Sequence, residues 1–341
     1  MRYMLLGLVL ALSAATGCTE RPRTESAAGG SKNDRLVIAV IPKSLGADFW
    51  ENVEDGAREA ADKLGVEMKW EGTLTETEVA EQNKIIENMV NLDVDGIALA
   101  PLNQVASRRS VEGAVNAGIP VVVFDSEVDG TAHTSFVATN NTGGGALGAK
   151  HMIELLGGKG RVMVMRFIQG TGSTEARAKG FIDTAKAGGL EIVADPFAVG
   201  ATVADCKKTA SNTLESYIKD GKLELDGIFA CNDRASLGVL GALEDLQKQG
   251  IDLKTRFIGF DFTPGLIDGL KSGKIHALVV QNPRKMGYLA VETLVKHLRG
   301  EPVEPFIDTG VELIDAERLG SDADIRRLVG LDKSPAGPSA P

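Results

Sequence analysis

Short apolar runs alternate with amphipathic segments along most of this chain. The first run covers residues 36–41, and after it come apolar residues at helical spacing from Phe49 to Leu64, with Asp48 expected to cap the helix. The same pair of patterns recurs as far as Val280. Apolar runs of this kind are typical of buried parallel strands joined by helical crossovers, so the pattern predicts an α/β fold.

The alternation falls into two series of similar length, which predicts two α/β units in tandem. Further strands of the first unit are expected at residues 66–70, 96–100 and 121–124, with helices between them. After a run at 135–137, the second series has strands at 161–165, 190–193, 227–230, 257–260 and 275–280, and helices from about 143 and around 176–186, 209–218 and 235–247. A cleft between two such units is the expected place for a small ligand.

The last part of the chain is harder to assign. The pattern predicts a helix at residues 287–299 and short extended pieces at 305–308 and 310–314. It does not indicate to which of the two α/β units these elements belong. Residues 331–341 are rich in Pro and Ser, and we expect them to form a disordered tail.

Residues 1–18 carry a targeting signal. Arg2 gives a positive start, residues 4–14 are apolar, and small residues lead to Cys18. The apolar stretch is too short to span a bilayer and therefore indicates a secretory signal peptide. A small-residue run that ends on Cys resembles a bacterial lipoprotein signal, which implies lipidation of Cys18; ordinary cleavage nearby is the alternative. Residues 19–34 would then be a flexible tether.

The net charge of −10 bears on the choice of partner. Nucleic acid needs a basic face, and the sequence has no cluster of Lys and Arg, so we expect no nucleic-acid partner. No H-x-x-H spacing or Cys/His cluster indicates a metal, and no G-x-S-x-G elbow indicates a hydrolase. We therefore expect neither a metal nor another cofactor.

A glycine-rich segment matches the sequence motif of a dinucleotide-binding site. Residues 143–148 match G-x-G-x-x-G and lie between a predicted strand and a predicted helix. The acidic residue expected at the end of the following strand is missing, because Phe167 and Ile168 stand there. Close packing of helices is the better explanation for these glycines.

Polar side chains gather where two late strands end. Asn232 and Asp233 follow one buried run, and Asp261 and Phe262 follow the next. Since ligands of parallel sheets bind at the carboxyl ends of the strands, an amide, a carboxylate and a ring should meet in one crevice. These groups suit a small polar molecule with hydroxyls and one apolar face.

These motifs, in this order, resemble the periplasmic sugar-binding proteins of the ribose-binding type over about residues 36–314. The resemblance is carried by IAVI at 38–41, DFW at 48–50, DGA at 55–57, PVVVFD at 120–125, NNTGG at 140–144, RAKGF at 177–181, CND at 231–233, GFD at 259–261 and VQ at 280–281. It implies a type I periplasmic binding protein, with two Rossmann-like parallel-sheet lobes joined by a three-crossing hinge. Residues 35–139 plus 282–309 would form the N-terminal lobe, and residues 140–281 plus 310–330 the C-terminal lobe.

The resemblance also implies which side chains hold the ligand. Phe49 and Trp50 would flank the sugar ring with their aromatic faces, although both can instead belong to a helix core. Asp125 and Asp261 end strands of opposite lobes and would accept hydroxyl donors, with turn formation or capping as the alternative. Arg177 would donate to ring oxygens and hydroxyls of the sugar, with an exposed salt bridge as the alternative. Asn232 and Gln281 would donate to and accept from hydroxyls, with structural turn amides as the alternative.

Three places depart from the ribose-type pattern. Lys43 replaces a small hydroxyl residue, and it could pair with Asp125 or Asp48 or meet an acidic or phosphorylated sugar. Ala100 and Ser126 stand where ribose binders have larger polar groups, which puts ribose itself in doubt. The family often supplies an aromatic ring near residues 200–202, and none is in register here, which predicts a wider pocket.

Two cysteines besides Cys18 leave a redox question open. Cys206 begins a predicted helix and Cys231 ends the following strand, so both should lie at one edge of the second unit. In an oxidising compartment a disulfide between them is one expectation, and two buried free thiols are the other.

The resemblance implies a binding protein of the cell envelope and not an enzyme. It would capture a monosaccharide or related polyol, deliver it to the permease of an ABC importer, and act as a monomer held at the membrane by its lipid anchor only. A sensing role with a chemoreceptor or sensor kinase is the alternative, as is a sugar acid or sugar phosphate as ligand. A repressor would need an N-terminal helix-turn-helix where the signal stands, and a glycosidase would need Asp125 and Asp261 at a separation that the sequence does not fix.

Overall fold

Two six-stranded sheets form the framework of the protein in a computed structural model, which describes residues 35–332. The first sheet has the spatial order β13-β5-β4-β3-β1-β2, and all its neighbouring strands are parallel. Its strands are β1 (Val37–Ile41), β2 (Glu67–Trp70), β3 (Gly96–Leu99), β4 (Val121–Phe124), β5 (Ser135–Ala138) and β13 (Phe306–Asp308).

The second sheet repeats this arrangement in the order β14-β12-β11-β10-β6-β7. It is parallel except for its last strand, which pairs antiparallel with β12. Its strands are β6 (Gly160–Met165), β7 (Leu190–Ala194), β10 (Gly227–Ala230), β11 (Arg256–Phe260), β12 (Ala277–Gln281) and β14 (Val311–Ile314). A small hairpin, β8 (Ile218–Lys219) with β9 (Lys222–Leu223), stands apart.

Helices cover both faces of each sheet, because the strands are apolar on both sides. The first lobe has α1 (Asp48–Leu64), α2 (Val79–Asn91), α3 (Arg108–Asn116) and α9 (Pro283–Leu298). The second has α4 (Asn141–Leu156), α5 (Gly172–Ala187), α6 (Val203–Glu215), α7 (Asp233–Lys248), α8 (Pro264–Lys271), α10 (Ala316–Ser321) and α11 (Ala323–Leu328). The predicted α/β fold of two parallel-sheet lobes is confirmed. No helix within residues 35–332 is long and apolar enough to cross a membrane.

Glycines let one pair of helices in each lobe touch backbone to backbone. A Cβ atom on Gly145 of α4 would lie 2.0 Å from the carbonyl oxygen of Arg177 in α5. In the same way, a Cβ on Gly56 of α1 would lie 1.9 Å from the carbonyl oxygen of Arg284 in α9. The glycine-rich start of α4 therefore serves close helix packing, as the sequence predicts, and the same packing sets the position of Arg177.

Within residues 35–332 the chain passes between the two sheets three times, and the crossings lie side by side. β5 leads into α4, β12 leads into α9, and β13 leads into β14. The Thr139 and Thr309 hydroxyls are 3.2 Å apart, and Asp308 Oδ1 accepts hydrogen bonds from the Asn140 and Gly310 amides. These short connections are the natural place for a hinge between the lobes.

Helix starts are where the structure corrects the sequence predictions. Ala47, not Asp48, is the N-cap of α1, and Asp48 lies in the first turn. The helix predicted at 287–299 begins at Pro283, where the Asn282 side chain caps it. The helix predicted at 209–218 begins at Val203, because Thr202 and Asp205 form a capping box. Helix α8, which has Pro264 at its first position, was missed.

Candidate ligand-binding site

A cleft at the carboxyl ends of the strands brings together all of the ligand residues predicted from the sequence. Its empty space, counted out to the open mouth, is about 380 Å³. The predicted residues that line it are Lys43, Phe49, Trp50, Asp125, Arg177, Asn232, Asp261 and Gln281. Residues that the predictions did not include also line it, among them Glu76, Ser173, Asp233 and Arg234. Side chains from both lobes thus face one space of the size that small ligands use.

Lys43 is buried in this cleft and fully partnered. Its Nζ lies 2.6 Å from Asp125 Oδ2, 2.6 Å from Ser126 Oγ and 3.2 Å from Ser173 Oγ. The two serine hydroxyls accept hydrogen bonds from this ammonium group, and the Asp125 carboxylate is its ion-pair partner. Of the alternatives left open by the sequence, the ion pair with Asp125 is the one that the structure shows. Because Ser173 lies in the first turn of the opposite lobe's α5, the group also links the two lobes.

Asp125 and Asp261 occupy equivalent places in the two lobes. Asp125 follows β4 and Asp261 follows β11, each the fourth strand of its six-stranded sheet along the chain. Both have left-handed backbones, with φ of 60° and 69°. Asp accepts this conformation more readily than most residues, but it still costs free energy and occurs preferentially at functional sites. The backbone turns both carboxylates into the cleft, where each meets a cation.

Arg177 is the cation that meets Asp261. Its side chain is 2% exposed, and its NH1 lies 3.6 Å from Asp261 Oδ2. Nε donates to Asn141 Oδ1 at 2.8 Å, and NH1 donates to the Cys231 carbonyl at 3.1 Å. The guanidinium also lies 3.9 Å from the centroid of the Phe260 ring. The exposed salt bridge that was the alternative for Arg177 is therefore wrong.

Gln281 and Asp233 complete the polar floor beside Asp261. Gln281 Nε2 donates to Asp261 Oδ1 at 2.7 Å, while the buried Gln281 Oε1 has no hydrogen-bond partner in the described part of the chain. Asp261 Oδ2 accepts from the Asp233 amide at 3.2 Å. Burial raises the pKa of Asp261, against the effect of Arg177. Burial and then the Asp261 carboxylate raise the pKa of Asp233 to about 7.

The two aromatic residues at the start of α1 have both a structural place and a place in the cleft. Phe49 and Trp50 meet edge to face with ring centroids 4.9 Å apart, and Trp50 meets Phe124 at 6.4 Å. Trp50 is 3% exposed and belongs to the first lobe's core, whereas Phe49 is partly buried. The Trp50 indole N–H donates to Glu76 Oε1 at 3.1 Å. A ring anchored in this way is a rigid wall against which a sugar can stack.

Asn232 has the structural role that the sequence left as an alternative. Its Oδ1 accepts from the Ala235 amide at 3.0 Å and so caps α7. The amide NH₂ group is the part of this side chain that can donate to a ligand. Capping and ligand contact are therefore compatible for Asn232.

A sequence model of the periplasmic binding protein domain matches residues 38–302 of this chain. The chain belongs to this family. The resemblance recognised in the sequence is therefore confirmed, and so is the expected class of function, an extracytoplasmic sugar-binding component of an ABC import system.

The chain is similar in sequence and structure to individual sugar-binding members of the periplasmic binding protein family. A ribose import binding protein of Bacillus subtilis is 27% identical, over 90% of this chain and 96% of its own. A carbohydrate transporter solute-binding protein from Agrobacterium radiobacter, solved with D-arabinose, is 31% identical with a TM-score of 0.81, and the match covers 87% of this chain and 99% of that one. An ABC transporter solute-binding protein from Agrobacterium vitis, solved with D-fucose, is 35% identical with a TM-score of 0.78, at 84% and 97% coverage.

Glu76 and Arg234 are two of the cleft residues that the sequence reasoning missed. Arg234 NH1 lies 3.2 Å from Glu76 Oε1 and donates to the Ala201 carbonyl at 3.3 Å. The Arg234 guanidinium lies beside Ala201, in the region where the sequence predicts a wider pocket, and the width itself stays a prediction. The signals were available, since Glu76 follows β2 and Arg234 follows Asn232 and Asp233, and strand ends line the cleft.

The structure has Cys206 and Cys231 as free, buried thiols, so the disulfide is not formed. Successive residues of a strand face opposite sides of the sheet. Ala230 and Cys206 belong to the core on the α6–α7 side, whereas Cys231 packs on the α4–α5 side. Burial raises the pKa of both thiols to about 12, which makes them poor nucleophiles.

The raised pKa of Asp233 predicts a pH-dependent stability. In the unfolded chain an Asp titrates near about 3.9, so this carboxyl's contribution to stability is full below about pH 4 and is lost as the pH rises to about 7. We expect Asp233→Asn to melt at a higher temperature than the wild type at about pH 8 and to differ little at about pH 4, since each pKa unit corresponds to about 1.4 kcal/mol. Melting curves between these pH values measure the difference.

The exposed Asp268→Asn is the matched control for Asp233→Asn, because it removes a carboxylate of the same lobe outside the cleft. It should leave the pH dependence of the melting temperature unchanged. An Asp233→Asn protein whose melting temperature falls with rising pH as steeply as that of the wild type would contradict the prediction.

Proposed function

We propose that the protein captures a neutral monosaccharide or related polyol between its lobes, through the other seven predicted ligand residues while Lys43 holds Asp125, and presents it to the permease of an ABC importer. One observation carries the choice of a neutral ligand: each cation that lines the cleft has a carboxylate of the cleft as its partner. Lys43 pairs with Asp125, Arg177 with Asp261, and Arg234 with Glu76. A sugar acid or phosphate would have to compete with these carboxylates.

An acceptor of the cleft without a hydrogen-bond partner supports the same choice. Gln281 Oε1 is buried without a partner, and such a group costs about 1–3 kcal/mol. A ligand hydroxyl is a donor that would satisfy it, whereas a carboxylate or phosphate would bring further acceptors. The relatives solved with D-arabinose and D-fucose support a single sugar ring as the ligand.

The finer features of the function are also proposals. We propose that the protein acts as a monomer, without catalysis, and is held at the membrane through a lipid on Cys18, which lies outside the described residues together with the tether and the end of the tail. The carboxylates of Asp125 and Asp261 each face a cation, which suits binding better than acid–base chemistry. Reporting to a chemoreceptor or sensor kinase is the alternative to delivery.

A ligand screen by thermal shift tests the proposal on the chain that begins after Cys18. The probes are D-ribose, D-arabinose, D-allose and D-fucose, with D-gluconate and D-ribose 5-phosphate as the charged comparison. At ~100 times its dissociation constant, a bound sugar should add about 2.7 kcal/mol of stability. We expect a neutral sugar to raise the melting temperature and the charged probes not to do so. A rise in melting temperature with only a charged probe would overturn the assignment of a neutral ligand. No rise with any probe would overturn the assignment of a sugar as the ligand.

A further inference from the structure

The Glu76–Arg234 ion pair joins the two lobes across the cleft. Glu76 comes from the loop after β2 in the first lobe, and Arg234 from the first turn of α7 in the second. Arg234 NH2 also donates to Ser44 Oγ at 3.2 Å, a second contact with the first lobe. The Ala201 carbonyl holds the same guanidinium on its own lobe. Arg234 thus ties three loops together at one place.

This ion pair lies on the solvent side of the cleft. Side-chain exposure is 17% for Arg234 and 10% for Glu76, whereas it is 2–4% for Lys43, Asp125 and Arg177. All of these residues line the same pocket. Of the three ion pairs that line the pocket, Glu76–Arg234 is therefore the most exposed and lies nearest to the solvent.

Glu76 also connects this ion pair to the aromatic side of the pocket. The same oxygen, Oε1, accepts from the Trp50 indole at 3.1 Å and lies 3.2 Å from Arg234 NH1. The ion pair occupies space at its side of the pocket that a substituent on the ligand would need.

We propose that Glu76 and Arg234 form a gate that closes the solvent side of the pocket and limits the ligand to one unsubstituted sugar ring. A group attached to the ring at that side would have to break the ion pair and the Ser44 and Ala201 contacts together. The gate rests on the proposed function, because it sets the size limit of the same site.

Arg234→Ala tests the gate, with Arg284→Ala as the matched control. Arg284 also forms ion pairs, with Glu59 and Asp55, but all three residues belong to the first lobe and lie away from the cleft. The probes are the tightest-binding sugar among D-ribose, D-arabinose and D-fucose, and its mono-O-methyl derivatives, one for each hydroxyl. Titration calorimetry gives the affinity of each derivative relative to the parent sugar.

We expect Arg234→Ala to raise the relative affinity of at least one derivative about tenfold, which corresponds to about 1.4 kcal/mol. The parent sugar should lose affinity, because the variant has fewer contacts between the lobes. Arg284→Ala should change neither quantity. The gate is overturned if Arg234→Ala raises the affinity of no derivative relative to that of the parent sugar.

A second measurement separates failure of the gate from failure of the proposed function. The chain has two tryptophans, so a Trp70→Phe background leaves the fluorescence of Trp50, which is 3% exposed behind the gate. We expect Arg234→Ala to raise acrylamide quenching of Trp50 about twofold, because the gate no longer covers it, and Arg284→Ala to leave it unchanged. If no sugar binds the wild type, the proposed function fails. The quenching experiment needs no sugar, and unchanged quenching in Arg234→Ala would overturn the gate.

Discussion

Lys43→Met should lower the free energy of unfolding by about 3–5 kcal/mol, because it leaves the Asp125 carboxylate buried without its cation. Asp125 is 3% exposed, and Lys43 Nζ at 2.6 Å is its ion-pair partner. The same change removes the hydrogen bonds to Ser126 and Ser173. Urea unfolding at neutral pH, compared with the wild type, measures the loss.

Two further variants show whether the loss belongs to the buried ion pair. Lys43→Met combined with Asp125→Asn should recover much of the stability, because it removes both charges. Lys84→Met breaks an exposed pair with Glu81 in the same lobe, and such pairs contribute about 0–1 kcal/mol. A Lys43→Met protein no less stable than Lys84→Met would contradict the prediction.

The Lys43 result also bears on ligand choice. If Lys43 were held ready for an acidic ligand, its removal would have a small effect on the ligand-free protein and a large effect on affinity. The ion pair makes the opposite prediction, a large effect on stability without ligand. Ser126 explains the departure from the ribose-type pattern at this place, since its hydroxyl accepts from Lys43 and from the Ser173 amide. The substitutions at 43 and 126 therefore form one structural unit.

Much of the site could be predicted because strand ends are visible in the sequence. Asp125, Asn232, Asp261 and Gln281 end or follow apolar runs, and a parallel sheet gathers such positions at one edge. The partners within the cleft could not be predicted in this way. Whether Lys43 meets Asp125 or Asp48 depends on the path of the loop after β1, for which the hydrophobic pattern carries no information.

The wrong or missed features have one physical cause, which is that they depend on side-chain direction and local hydrogen bonds. A disulfide between Cys206 and Cys231 fits their chain positions, but strand alternation points Cys231 to the opposite side of the sheet. The start of α6 depends on a reciprocal bond between Thr202 and Asp205. The role of Arg234 was missed because it requires Glu76 from the other lobe. Hydrophobic periodicity does not predict which residues of the two lobes contact each other.

Arg177→Met should have the other large effect, on stability and on ligand affinity together. It removes the cation beside Asp261, and burial already raises the pKa of that carboxyl. Breaking a buried ion pair of this kind costs about 3–5 kcal/mol. We also expect sugar affinity to fall about 100-fold, which corresponds to about 2.7 kcal/mol, because Arg177 lines the cleft and holds Asp261 in place. Urea unfolding and titration with the sugar found in the screen measure the two effects.

The double variant Arg177→Met with Asp261→Asn distinguishes the two effects. Stability should recover in part, because no unpaired charge remains and an Asn oxygen can still accept from Gln281 Nε2. Affinity should not recover, because both groups that face the ligand have been replaced. Arg161→Met is the matched control, since its ion pair with Glu224 is exposed and belongs to the same lobe. If affinity returned with stability in the double variant, Arg177 would support the fold of the second lobe without contacting the sugar.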